Sequence, residues 1–251
     1  MTTTEIIFSP TGGTAEIAEI LTKAIGFPSS KIDLSSNAIA STNLSSDTLA
    51  VIAVPSFSGR VPSTAAERLK SKVRGNGTKA VLTVVYGNRA YEDTIIELYD
   101  IAAECGFNVI ACVSAVAKHS IVTHIASNRP DETDRDMLND FGKLISEKAT
   151  SDNSAEPVIP GNRPYRKVGT PSVPKTDSMC NRCGACTAMC PVGAINPAEP
   201  SDVNEELCIG CMRCVSLCPI SSKFIPEEIV SAIDFKIKDY CADRKDPELF
   251  L

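Results

Sequence analysis

Eight of the eleven cysteines fall into two copies of one pattern close to the C-terminus, and this pattern limits what the chain can fold into. The copies read CNRCGACTAMCP, starting at Cys180, and CIGCMRCVSLCP, starting at Cys208, so each has the form C-x2-C-x2-C-x3-C-P. Gaps of two residues let three thiolates on one tight loop reach three corners of a cubane cluster. The fourth cysteine, turned away by the proline, ligates the other cluster. The repeat therefore predicts two [4Fe–4S] clusters.

Interleaved ligand sets follow from this arrangement. The first cluster is assigned to Cys180, Cys183, Cys186 and Cys218. The second cluster is assigned to Cys208, Cys211, Cys214 and Cys190. Zinc and structural disulfides are the alternatives, but zinc sites usually show paired C-x2-C knuckles and not a run of four cysteines ending in Cys-Pro. Over residues 178–223 the chain resembles the bacterial two-cluster ferredoxin family.

The first 150 residues show a different pattern, in which strand-like and helix-like stretches alternate. The strand-like stretches are EIIFS, SKIDLSS, DTLAVIAVP, TKAVLTVVYG and FNVIACVSAV. The helix-like stretches are TAEIAEILTKAIG, PSTAAERLKSKVRG, YEDTIIELYDIAAECG and PDETDRDMLNDFGKLISEKAT. Such alternation predicts an α/β domain with a five-stranded parallel sheet covered by helices on both faces.

The remaining chain divides by composition. Residues 151–177 are rich in proline and lack apolar periodicity, so we expect an extended linker that lies over a surface. We expect the cluster domain at residues 178–223 and a C-terminal helix and tail at residues 224–251, which could cap either domain. Residues 1–150 form the first domain in this division.

A glycine-rich loop joins the first predicted strand to the first predicted helix. It reads FSPTGGTAEIA and presents backbone N–H groups at a helix N-terminus, where the helix dipole favours an anion. The loop has no lysine, so it is not a Walker A loop. Residues 9–14, SPTGGT, match the phosphate loop [ST]-x-T-G-x-T of flavodoxins, and the first 150 residues resemble that family. The resemblance implies bound FMN and a doubly wound sheet with strand order 2-1-3-4-5.

The same resemblance places the flavin ring between two further loops, VPSFSGRVP and VYGNRAYED, each after a predicted strand. The candidate FMN-binding residues are Ser9, Thr11, Gly12, Gly13, Thr14, Pro55, Ser56, Phe57, Ser58, Gly59, Tyr86, Gly87, Asn88 and Tyr91. Many flavodoxins stack the ring on Trp and Tyr, but this chain has no Trp, so Phe57 and a tyrosine would have to serve. Arg60 and Arg89 could stabilise a reduced flavin or be surface arginines, and His119 could be a proton donor or a loop histidine.

The composition bears on partners and location. A formal net charge of −6 argues against a nucleic-acid partner, since phosphate binding needs a basic face. The N-terminus lacks a basic, apolar leader and no apolar run is long enough for a membrane span, so we expect a cytoplasmic protein.

The whole chain resembles a flavodoxin–ferredoxin fusion of the kind found in anaerobes. That resemblance implies an electron-transfer flavo-iron-sulfur protein that passes low-potential electrons between its clusters and FMN. Its partners would be ferredoxin- or flavodoxin-dependent oxidoreductases, and a homodimer is compatible with the sequence. The alternative is a flavin-dependent reductase of a small acceptor such as a quinone or nitro compound. We favour the carrier, because the sequence shows no nicotinamide fingerprint and no dedicated substrate domain.

Overall fold

The computed structural model describes residues 1–151 and 155–251. A six-stranded sheet forms the centre of the N-terminal part, and five of its strands are parallel. These are β1 (Thr2–Ile7), β2 (Ser29–Asp33), β4 (Thr48–Pro55), β6 (Thr78–Tyr86) and β7 (Phe107–Val116). Counted among themselves, they stand in the order 2-1-3-4-5, which confirms the predicted strand order. The central strands β4 and β6 are buried along nearly their whole length, as expected for a parallel sheet covered on both faces.

Two pairs of helices cover the faces of the sheet. Helices α1 (Gly13–Ile25) and α4 (Glu132–Thr150) pack on one face, and α2 (Ser63–Lys72) and α3 (Thr94–Glu104) pack on the other. Each face has its own apolar core, with Leu21 in the first and Leu98 in the second among the fully buried side chains. Two short strands, β3 (Thr42–Leu44) and β5 (Val73–Gly75), pair with each other outside the main sheet.

The sixth strand of the main sheet comes from the far end of the chain. Strand β10 (Glu248–Phe250) pairs antiparallel with β7, with Leu249 opposite Val113. The C-terminal tail thus returns to the first domain and covers the edge of its sheet.

The cysteine-rich part is small and has little regular structure. It contains a two-stranded sheet of β8 (Lys175–Thr176) and β9 (Lys223–Phe224) and two short helices, α5 (Ala185–Ala188) and α6 (Arg213–Leu217). Helix α7 (Glu227–Ile237) and a 3-10 helix at Lys238–Cys241 follow.

The segment before this part crosses the surface of the first domain. Residues 155–174 have no helix or strand. The buried Asp93 carboxylate accepts hydrogen bonds from the backbone N–H groups of Asn162, at 2.9 Å, and Arg166, at 2.7 Å. Arg163 forms an ion pair with Asp100 on α3. These contacts fix the course of the segment along α3.

Candidate functional site

The cysteines of the first predicted ligand set, named here the first set, surround one cavity. Its empty volume is about 310 Å³, and all four cysteines of the set line it. Three of them, Cys180, Cys183 and Cys186, come from the first copy of the repeat, and Cys218 comes from the second. The cysteine that stands farthest away in sequence therefore meets the other three in space, as the interleaved ligand assignment requires.

The second set, Cys190, Cys208, Cys211 and Cys214, is also gathered in one region. Cys190 is buried, and Cys208 and Cys214 pack in the same small apolar cluster. Burial raises the pKa of Cys208 and of Cys211, and the neighbouring Cys190 thiol adds to the rise in both. Among the described residues, no group of three or more His, Cys, Asp or Glu side chains converges closely enough to hold a single metal ion.

The fourth cysteine of each copy is held in the same way. The backbone N–H of Ala194 donates to Cys190 Sγ at 3.3 Å, and that of Ser222 donates to Cys218 Sγ at 3.2 Å. Although burial works against it, the surrounding backbone N–H groups lower the pKa of Cys218. Donors aimed at sulfur stabilise a thiolate ligand and tune the potential of an iron–sulfur cluster.

Two thiols of the second set have a raised pKa, in contrast to the lowered pKa of Cys218, and burial is the cause. It raises the pKa of Cys211 to about 11 and that of Cys214 to about 12. Buried thiols of this kind are neutral without metal and release their protons when they become ligands. An all-thiolate donor set with N–H groups directed at sulfur fits an iron–sulfur cluster.

A second cavity, named here the sheet-end pocket, lies at the carboxyl ends of the parallel strands. Its empty volume is about 530 Å³. It is lined by Pro10, Thr11, Gly13, Thr14, Pro55, Ser56, Phe57, Val85, Tyr86, Gly87, Ala117, Lys118, His119, Ser120 and Cys211. The loops after β1, β4, β6 and β7 all contribute, which is where ligands bind in open parallel sheets.

One end of the sheet-end pocket is suited to an anion. The N-cap residue of helix α1, Gly12, has a positive φ and no side chain to bond the first turn, so it leaves room for a ligand at the N-terminus of the helix. The Ser9 hydroxyl accepts a hydrogen bond from the Ala15 N–H at 2.9 Å and thereby braces the loop. A Cβ on Gly13 would lie 3.0 Å from Ala117 Cβ, so the loop after β7, with Lys118, approaches the phosphate-type loop closely.

The pocket wall also carries aromatic side chains. Phe57 opens a tight turn in which its N–H donates to the Arg60 carbonyl at 2.9 Å, with positive φ at Ser58 and Gly59. Tyr86 packs edge-on against Tyr91, and burial raises the pKa of Tyr86 to about 12, so its hydroxyl is neutral. Backbone donors, a lysine and flat apolar side chains in one cavity fit the phosphate and ring of a flavin nucleotide.

His119 has a fixed orientation in the sheet-end pocket. Its Nδ1 accepts from the backbone N–H groups of Val122, at 2.9 Å, and Ile121, at 3.2 Å. The proton of the neutral imidazole is therefore on Nε2. Burial lowers the pKa of His119 to about 4, so the side chain is an uncharged hydrogen-bond donor at neutral pH.

The structure brings most of the sequence-predicted FMN residues together and leaves others outside the lining. Eight of them line the sheet-end pocket: Thr11, Gly13, Thr14, Pro55, Ser56, Phe57, Tyr86 and Gly87. Ser9, Gly12, Ser58, Gly59, Asn88 and Tyr91 do not. Of these, Asn88 donates to the backbone carbonyl of Cys241 at 2.9 Å, and Tyr91 packs against the apolar core.

The two arginines proposed for the ring edge are engaged elsewhere. Arg60 pairs with Glu97 and lies 4.8 Å over the ring of Tyr165, and Arg89 pairs with Glu92. Neither lines the sheet-end pocket. Sequence reasoning considered His119 but missed Lys118 and Ser120, and the only signal for them was their place directly after a predicted strand.

The two sites meet at one residue. Cys211, a member of the second set, also lines the sheet-end pocket. Sequence reasoning gave no sign of this contact, because it depends on how the two parts of the chain pack.

Comparisons with known proteins agree with parts of this description. A family model described as a 4Fe-4S dicluster domain matches residues 179–222. No curated protein matches the chain. The protein thus carries a domain that binds [4Fe–4S] clusters, behind an α/β domain with the flavodoxin strand order.

Solved flavodoxins resemble the N-terminal part. A flavodoxin of Streptococcus pneumoniae TIGR4 is 16% identical with a TM-score of 0.43, and the match covers 59% of this chain and 99% of that one. A flavodoxin from the domain Archaea is 13% identical with a TM-score of 0.43, covering 60% and 100%. A Fusobacterium nucleatum flavodoxin bound to flavin mononucleotide is 16% identical with a TM-score of 0.40, covering 59% and 99%. The fold assignment rests on the strand order and not on these scores.

The fold and the cysteine site together define an electron-transfer protein, which implies redox partners. In the described part of the chain, the helices are all too short or too polar to cross a bilayer.

Proposed function

We propose that this chain binds two [4Fe–4S] clusters and FMN, and that it passes low-potential electrons between them on behalf of partner redox proteins. The observation that carries the proposal is the position of Cys211, which belongs to a predicted cluster ligand set and lines the sheet-end pocket. When bound, the clusters carry single electrons and FMN accepts either one or two. A cluster ligand in the wall of a flavin site keeps the two kinds of centre close together.

The residues of the pocket supply the binding for FMN. The open N-terminus of α1 and the Thr14 hydroxyl donate to the phosphate, and Lys118 adds a positive charge beside it. Phe57 and Tyr86 offer apolar surface to the ring. His119 holds its proton on Nε2 and can donate one hydrogen bond to the flavin without bringing a charge.

The first experiment is anaerobic reconstitution of the full chain with iron, sulfide and FMN. We expect about eight iron atoms and one FMN per chain, since two cubane clusters hold four iron atoms each. A flavin band that is absent after reconstitution would overturn the FMN part of the proposal. Iron near half the expected content would overturn the second cluster.

Lysine substitutions test the phosphate end of the pocket separately. Lys118→Gln should weaken FMN binding about tenfold, because a charge-assisted hydrogen bond contributes on the order of 1.4 kcal/mol more than a neutral one. Lys143→Gln is the matched control, since Lys143 is an exposed residue of α4 that pairs with Asp140 on the same helix. Equal affinities of the two variants for FMN would show that Lys118 does not contact the phosphate.

A flavin-dependent reductase of a small acceptor is the second candidate function. The presence of His119 and Lys118 in the pocket wall favours it, because both could also contact a small substrate. Reduction of the loaded protein by NADH, NADPH and reduced ferredoxin in separate titrations distinguishes the two functions. Bleaching of the flavin by a nicotinamide supports the reductase, and bleaching by ferredoxin alone supports the carrier.

A further inference from the structure

The two cysteine sets have different surroundings, and the difference gives the electron path a direction. We propose that the second set holds the cluster that faces the flavin, and that the first set holds the cluster at the outer end of the path. This inference rests on the proposed function and adds to it the order of the centres.

The second set touches the first domain at three separate points. Cys211 lines the sheet-end pocket together with residues of the first domain such as Phe57 and Gly87. Ile209, next to the ligand Cys208, packs against the apolar core of the first domain on the α2 and α3 face. These two contacts come from the loop that carries most of the set.

The third contact is a polar clamp on the remaining ligand. Asn37 Nδ2 donates to the Cys190 carbonyl at 3.0 Å, and Arg68 donates to the carbonyl of the following Pro191. The two clamp residues hold each other, since Arg68 Nη2 donates to Asn37 Oδ1 at 2.9 Å, and Arg68 Nη1 also donates to the Leu34 carbonyl at 2.7 Å. Both clamp residues belong to the first domain, so they fix the position of the second set relative to the pocket.

In the part of the chain that the structure describes, no comparable contact joins the first set to the first domain. Every residue that lines its cavity lies between Cys180 and Lys223. Cys183 is exposed, and the side chain of Met179, just before the set, is 73% exposed. The first set therefore faces outwards.

The proposed order concerns single electrons, and no atom is transferred. One electron lost by a reduced partner protein would pass first to the cluster held by the first set and then to the cluster held by the second set. From there it would pass to FMN in the sheet-end pocket. In the oxidative direction the same centres are used in reverse order. The protein residues hold the two sets in position and leave the first set exposed to a partner protein.

Cys183 and Cys211 are the second cysteines of their repeat copies, which makes Cys183→Ser and Cys211→Ser a matched pair. The reconstituted variants are partly reduced, and the microwave power saturation of the EPR signal of one-electron-reduced FMN is measured. A nearby reduced cluster speeds the relaxation of this signal. We expect wild type and Cys183→Ser to keep the fast relaxation and Cys211→Ser to lose it. Loss in Cys183→Ser alone, or in neither variant, would overturn the order.

A measurement on the wild-type protein covers the case in which Cys211→Ser fails to fold. An iron chelator is added anaerobically to the loaded chain, and iron release is followed together with the EPR relaxation of the flavin. We expect the exposed first set to release its iron first, while the fast relaxation persists until the second half of the iron is lost. Loss of the fast relaxation with the first half would contradict the proposal.

These outcomes are separate from a failure of the proposed function. If the wild-type chain bound no FMN, the flavin EPR signal would be missing in all samples, and the proposed function itself would fall. If FMN were bound and the relaxation depended on the first set, only the order would be wrong.

Discussion

Gly87 lines the sheet-end pocket at a point where there is no room for a side chain. A Cβ at this position would lie 2.5 Å from His119 Cδ2 and 2.9 Å from both His119 Cβ and His119 Cγ. Among the described residues, several glycines have a positive φ, but Gly87 is not one of them. Alanine can therefore adopt the backbone conformation of Gly87. The effect of Gly87→Ala is therefore a clash with the His119 ring and not backbone strain.

The size of this effect can be worked from the clash. Overpacking of a filled site costs about 1–3 kcal/mol, and the ring cannot turn away without losing the two N–H hydrogen bonds to His119 Nδ1. A loss of about 2 kcal/mol lowers the melting temperature of a chain of this size by roughly 4–8 °C. We also expect weaker FMN binding, since the ring forms part of the pocket wall.

The assay is anaerobic thermal unfolding of the loaded protein, with FMN affinity measured in parallel. Gly169→Ala is the control, because nothing lies within 4 Å of a Cβ at Gly169. The decisive comparison is a double-mutant cycle with His119→Ala, which removes two of the three close atoms. In that background Gly87→Ala should cost at least about 1 kcal/mol less. The same cost in both backgrounds would refute the reasoning.

Three further predictions concern the clamp, the histidine and a buried ion pair. Arg68→Gln should reduce the free energy of unfolding by about 2 kcal/mol and speed iron release, because the guanidinium no longer donates to the Pro191 carbonyl. His119 has a pKa of about 4 in the folded state and about 6.5 when unfolded, so the unfolded chain binds the extra proton as pH falls and stability decreases. The wild type should lose about 1.4 kcal/mol between pH 7.5 and 5.5 relative to His119→Gln, measured by denaturant unfolding. Asp134→Asn should cost about 3 kcal/mol in the same assay, because the buried Arg129 guanidinium loses its closest carboxylate and is left with the more distant one of Asp131, 3.9 Å away.

Each of these predictions has a control on the surface of the same chain. Arg135→Gln breaks an exposed pair with Glu16, so it should change stability by less than about 1 kcal/mol. His124→Gln replaces an exposed histidine and should change stability at neutral pH by less than about 1 kcal/mol. Asp140→Asn alters an exposed pair with Lys143 and should be nearly neutral. If a control variant lowered the free energy of unfolding as much as the variant with which it is compared, the role given to Arg68, His119 or Asp134 would be contradicted.

The parallel sheet was predictable because its strands are continuous apolar runs. DTLAVIAVP and TKAVLTVVYG each have the length and burial of a central strand, and the helices between them have one apolar face. The sixth strand, β10, could not be predicted. It is three residues long, and its pairing with β7 joins residues far apart in the sequence, where no local pattern exists.

The candidate site was predictable where the chemistry lies in one short motif. The cysteine sets and the loop at residues 9–14 depend on local spacing, and the structure gathers most of these residues. Tyr91 shows where local reasoning ends. It lies in the predicted ring loop, but burial and a hydrogen bond with Glu248, from the C-terminal tail, raise the pKa of its hydroxyl. Tyr91 is therefore in contact with the tail, which no local pattern in the sequence indicates.

The anchoring of the cysteine-rich part explains how a small domain can be held against a pocket. Two domains joined by one linker are expected to move relative to each other. Here the linker is tied to Asp93, the ligand Cys190 is tied to Asn37, and the tail joins the sheet through β10. Asn88 adds a further tie, since its side chain donates to the Cys241 carbonyl. The chain is thus fixed before, within and after the cysteine repeat. Because of these contacts, the fold itself holds Cys211 in the pocket wall, and its position does not require the two domains to meet by diffusion.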